Sequence, residues 1–100
     1  VAITFDRDPP SYSYGDSVYI TITVNYTVGG APANGTDVRV ELVTANGNLL
    51  VGNASTGTDN IVTFRYNASR RDGGGTYTTT ADGVNGTDIG SGGPTTFTVN

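Results

Sequence analysis

The feature that most constrains this chain is strict two-residue alternation. From Ser17 to Val28, Val18, Ile20, Ile22 and Val24 fall on one side and Tyr19, Thr21, Thr23 and Asn25 on the other. That period belongs to a strand with one wet face and one buried face. It recurs in "VAITF", with Val1, Ile3 and Phe5 together, and in "DVRVELV", with Val38, Val40 and Leu42 inward and Arg39 and Glu41 outward. It recurs again in "NIVTFRYN", with Val62, Phe64 and Tyr66 inward. "LLV" (Leu49 to Val51) reads as a short strand. "TYTTTA" reads as a strand with Tyr77, Thr79 and Ala81 on one face, and "TTFTV" as a last strand with Phe97 and Val99 inward. No helical period interrupts the series.

Between these runs lie clusters of turn formers: "DPPS", "YGD", "GGAPANG", "ANGN", "RRDGGG" and the stretch "DGVNGTDIGSGG". Pro cannot donate to a ladder, and Asn-Gly favours tight hairpins. Seven strands joined by turns, in 100 residues, predict one antiparallel immunoglobulin-like β-sandwich occupying residues 1–100. The 17 Thr and 15 Gly fit strands and turns and disfavour helix. Absence of Cys and Trp removes the core of an antibody-type domain. An odd strand count places the start of the first strand and the end of the last at opposite poles, so copies could join head to tail. The chain starts directly in a strand pattern and shows no signal peptide, which reads as a processed product or an excised unit.

Several stretches resemble the Ig-like domains of bacterial and archaeal surface proteins, and the related second domain of α2-macroglobulins. They are "YSYGDSVYITITVNY", "GGAPANGTDVRVEL" and "GTYTTTA". Tyr12, Gly15, Asp16, Pro32, Gly35, Val38, Gly75, Tyr77 and Ala81 fit that frame, whereas Tyr14 and Asn60 replace a common Pro and a common Gly. The resemblance implies an extracellular module, often in tandem copies. Some modules of this kind carry a Lys–Asn isopeptide or Thr–Gln ester cross-link. This chain has no Lys and no Gln, so neither can form within it.

Five of the nine Asn open an N-glycosylation sequon: Asn25-Tyr-Thr27, Asn34-Gly-Thr36, Asn53-Ala-Ser55, Asn67-Ala-Ser69 and Asn85-Gly-Thr87. With 23 Ser and Thr, chance would supply about two. Asn34 and Asn85 fall in predicted loops, and Asn53 follows the short strand. Asn25 and Asn67 lie on the outward faces of their strands. A bulky glycan needs such positions. Sugars are therefore expected at all five, and those on Asn25 or Asn67 would hinder lateral pairing of sheet edges.

Catalysis finds little support. No His and no Cys exclude a Ser–His or Cys–His pair and the usual transition-metal ligands. Glu41, the one Glu, reads as a solvated strand residue, and the eight Asp sit mostly in turns. The expectation is a protein that is not an enzyme and needs no cofactor beyond covalent N-glycans. Asp6 and Asp8 form a D-x-D pair that could contribute to a calcium site, or simply end the first strand before Pro9. Tyr12, Tyr14, Tyr19, Tyr26, Tyr66 and Tyr77 could offer a sugar platform, although Tyr66 and Tyr77 read as core and Tyr77 as a tyrosine corner. A net charge of −4 argues against nucleic acid and anionic membranes, and no run spans a bilayer. The functional expectation is a structural module of a secreted, glycosylated cell-surface filament or S-layer-type protein. Its partners would be neighbouring copies of the same domain and surface polysaccharide. The alternative is an adhesin or carbohydrate-binding module using loops at one pole.

Overall fold

The computed structural model describes residues 1–100. The strands are β1 (Ala2–Phe5), β2 (Ser11–Tyr12), β3 (Ser17–Thr23), β4 (Asp37–Val43), β5 (Leu49–Ser55), β6 (Ile61–Asn67), β7 (Gly75–Asn85) and β8 (Asp88–Val99). A single 3₁₀ turn, Arg70–Asp72, precedes β7. Two sheets face each other, β1-β3-β6 and β2-β8-β7-β4-β5, making an all-β sandwich. The count is eight strands where alternation predicts seven. The extra one is β2, two residues that pair in parallel with Thr98 and Val99. Only the pairing partner reveals so short a strand.

The faces follow the alternation. Val18, Ile20 and Ile22 of β3 and Val38, Val40 and Leu42 of β4 are buried from opposite sheets. Each such side chain contributes roughly 1.5–3 kcal/mol on leaving water. Aromatic rings close one end of the core. Phe97 stacks on Tyr77 at 5.1 Å and meets Phe5 and Tyr12 edge-on at 5.2 and 5.6 Å. The tyrosine hydroxyls stay satisfied. Tyr77 donates to the Gly73 carbonyl, the expected corner, and Tyr66 donates to Asp72 at 2.6 Å. The "RRDGGG" turn thus carries a buried carboxylate rather than a wholly polar surface.

Three expected boundaries move. β3 ends at Thr23, well short of Val28. There the Tyr26 N–H donates to Ala31 O and the Ala33 N–H to Val24 O, which fold the chain back into the turn at Thr27–Gly30. β5 runs on to Ser55, because its residues from Gly52 to Ser55 pair with Val40 to Asp37 of β4. Asn53 therefore lies within a strand.

The stretch 82–93 is no loop. It belongs to the long β7–β8 hairpin, with Asp82 opposite Ser91 and Asn85 opposite Asp88 around a Gly86-Thr87 turn. The signal hidden there is Gly86-Thr87, with glycine at the first central position of the turn, where φ is 62°. A register shift between Thr79 and Ala81 accommodates Pro94, which has no N–H to give.

Val1 lies against Gly83, Gly90 and Gly92, while Val99 pairs with Gly75. Gly75 and Gly83 are eight residues apart on β7, about 26 Å of strand. Val1 and Asn100 thus sit toward opposite poles. β1 and β2 run in the same direction, one in each sheet, so the eight strands make seven alternating passes, and that odd number parts the two ends.

Candidate functional site

Three sequon asparagines gather at the pole near Val1. Asn25 is exposed and bridges to Pro32 just past β3. Its Oδ1 accepts from Asn60 Nδ2 at 2.9 Å, while its own Nδ2 makes no hydrogen bond within the chain. Asn34 is exposed in the turn before β4, though Thr36 of the same sequon is buried and donates its hydroxyl to Ala33 O at 2.8 Å.

Asn85 differs from both. It is half-buried at the end of β7. Its Nδ2 faces Asn34 O at 3.0 Å, Thr36 Oγ1 at 3.2 Å and the Tyr26 hydroxyl at 3.3 Å. N-glycosylation joins sugar to Nδ2, and in the folded chain this nitrogen faces three of the protein's own acceptors. The sequon pattern did not distinguish it, because its partners come from distant segments.

The other two lie apart. Asn53 is exposed on the outer face of the five-stranded sheet, opposite Arg39. Asn67 is exposed at the end of β6, toward the opposite pole. Its Oδ1 accepts from Ser17 Oγ and Arg65 Nε, both at 3.2 Å, again leaving Nδ2 unengaged.

Asp6, Asp16, Glu41 and Asp72 are tied into the fold. Asp6 accepts from the Tyr12 hydroxyl at 2.6 Å and from the Tyr19 N–H at 3.2 Å. The tyrosine hydrogen bond holds its carboxyl below the usual carboxylate range. Burial, then the neighbouring Asp6, pushes the Tyr12 phenol upward. Burial and then Asp72 push the Tyr66 phenol upward likewise. Asp16 is held low by the Ser13 N–H and then by Arg7, which it meets at 3.0 Å. Glu41 pairs with Arg39 at 3.0 Å. No three His, Cys, Asp or Glu side chains group as metal ligands, so Asp6 and Asp8 lack a third carboxylate near them.

The tyrosines form no shared platform. Tyr12 and Tyr77 are core, Tyr66 packs against it, and Arg70 covers Tyr14 at 4.7 Å. Tyr26, two residues beyond buried Val24, is partly exposed at the rim of an open cleft of about 330 Å³. Val1, Val24, Val28, Asn85 and Ile89 also line this cleft. No helix is long and apolar enough to cross a membrane. Neither a protein-family profile nor a curated protein matches the chain.

Proposed function

We propose that this chain is an Ig-like structural module of a secreted, N-glycosylated cell-surface filament or S-layer-type protein, with neighbouring copies as its partners. The observation that carries the reading is the state of the sequon nitrogens. At Asn25, Asn34, Asn53 and Asn67 the side chain is exposed and Nδ2 makes no hydrogen bond within the chain. These four are spread over both poles and one sheet face, as a sugar coat requires. Asn34 would take its sugar before Thr36 is buried. Asn85 would stay bare. The polar separation of Val1 and Asn100 supports end-to-end joining. The tethered carboxylates and the lack of His and Cys support a non-enzymatic role with no cofactor.

Glycopeptide mapping of native material tests the reading. Sugar at Asn25, Asn34, Asn53 and Asn67 is the expected result, and a chain bare at every sequon would refute it. Electron microscopy should show extended fibres or sheets with a repeat of one domain length. The binding alternative draws on the cleft beside Tyr26, whose mixed apolar and amide lining suits a sugar ring. A glycan array would favour that alternative if Y26A abolished a measured affinity.

A further inference from the structure

Of the four sheet edges, three carry the devices that discourage strand addition, and one does not. β1 is four residues long and runs into Asp6-Arg7-Asp8-Pro9. β2 is two residues long and follows Pro9 and Pro10. β6 carries Arg65, tied by its Nε to Ser17 and Asn67. β5, by contrast, is seven residues with no charge and no proline, "LLVGNAS". It is apolar on both faces: Leu49 is 54% exposed, Val51 46% and Leu50 39%, with Val43 beside Leu49 on β4.

The phase of its free backbone groups can be read from the two ends of the β4–β5 pairing. The Thr44 N–H donates to Asn48 O, and the Thr56 N–H donates to Thr36 O, both at 2.9 Å. In an antiparallel ladder such bonded pairs alternate. Asn48, Leu50, Gly52 and Ala54 therefore turn their backbone groups toward β4. Leu49, Val51, Asn53 and Ser55 turn theirs to the open edge.

We propose that this edge is an interface for a second copy of the same chain, joined β5 to β5 about a two-fold axis perpendicular to the sheet. Such an axis keeps inner faces together, so residues of equal parity must oppose each other. The register centred on Leu50 sets Leu50 against its symmetry mate, and Leu49 against Val51 in both directions. Leu49 and Val51 carry the outward backbone groups, so that register also forms ladder bonds. Charge suits a like partner. The chain is net negative, but this strip is uncharged; on the neighbouring strand Arg39 and Glu41 neutralise each other at 3.0 Å, and Asp37 stands opposite Ser55 at the strip's end, away from the Leu50 centre. Two copies can meet here without burying an unpaired charge. Asn53 would face the partner's turn at Gly47, with its side chain still on the outer face and its sugar accommodated.

The inference names the lateral contact of the array proposed above, and it rests on that reading for the presence of neighbouring copies. Sedimentation of the full chain, bare and N-glycosylated, tests it. The expected result is a concentration-dependent dimer in both forms, with slowed amide exchange at Leu49, Val51 and Asn53 on concentration. V51P removes an outward N–H without touching the β4 ladder, and V51K adds like charges. Each should weaken dimerisation at least tenfold. A monomer at every concentration overturns the proposal. So does a dimer indifferent to both variants, which would leave end-to-end joining intact. A dimer seen only in the bare form also overturns it, since the Asn53 sugar would then be the cover of the edge.

Discussion

The side-chain amide of Asn85 donates to the backbone carbonyl of Asn34 at 3.0 Å, fastening the tip of the β7–β8 hairpin to the turn ahead of β4. The same nitrogen faces Thr36 and Tyr26. N85A should lower stability by about 0.5–1.5 kcal/mol, because one part-buried acceptor and two exposed ones lose their donor. N85D should cost a similar amount, since a carboxylate brings acceptors to acceptors. Urea unfolding measures both.

Tyr66 and Asp72 form the second tether. Asp72 is 4% exposed, so its oxygen cannot recruit bulk water freely when the phenol is lost. Y66F should cost about 1.5–3 kcal/mol, the range for hydrogen bonds to charged groups. Thermal unfolding of the variant against the parent chain checks this.

Stability should fall at both pH extremes. The carboxyls of Asp6 and Asp16 titrate below their ordinary 3.8 when folded. The unfolded chain therefore takes up protons first as pH drops. Their contribution is present above about pH 4 and lost as pH falls through the folded values. The Tyr12 and Tyr66 phenols titrate above their ordinary 10.0. Their contribution is present below about pH 10 and lost above it, where the unfolded chain ionises first. Denaturant midpoints across pH should show a plateau with two falling limbs, and D6N should flatten the acid one.

Thr79 lies fully buried on the inner face of β7, and its hydroxyl has no hydrogen-bond partner. Valine keeps the shape and removes the unpaired group. T79V should stabilise the fold by up to about 1 kcal/mol, raising Tm by a few degrees. A lowered Tm would show that the hydroxyl has a partner.

Gly52 leaves the room that the Phe64 ring of the facing sheet occupies at the β5 edge. A Cβ there would stand 2.9 Å from the Phe64 ring and 3.1 Å from Val40. G52A should cost about 1–3 kcal/mol through overpacking, read from chemical unfolding.

The strands legible in the sequence were those whose alternation is enforced by burial on one face. β3, β4 and β6 bury the predicted residues because a one-residue slip would turn Val38, Ile20 or Val62 into water. The outer half of the β7–β8 hairpin was not legible. Asp82 to Gly93 has the composition of a loop, and its pairing continues that of Tyr77 with Phe97 only across the register shift between Thr79 and Ala81. β5 past Val51 is likewise carried by the ladder of β4 rather than by the strand preference of Gly52 and Asn53. Among the sequons, exposure at Asn25 and Asn67 followed from parity and local position. The engagement of Asn85 did not, because Tyr26 and Thr36 lie far from it in sequence.

The parallel pairing of β2 with β8 also governs how the domain meets a pull. Tension drawn between Val1 and Asn100 drags β2 one way and the end of β8 the other, along their common axis. The bonds from Thr98 N–H to Pro10 O and from Asn100 N–H to Tyr12 O are then sheared together rather than peeled one at a time. With the ring of Tyr12 packed against Phe97 behind them, such a pull meets both bonds and the ring contact at once.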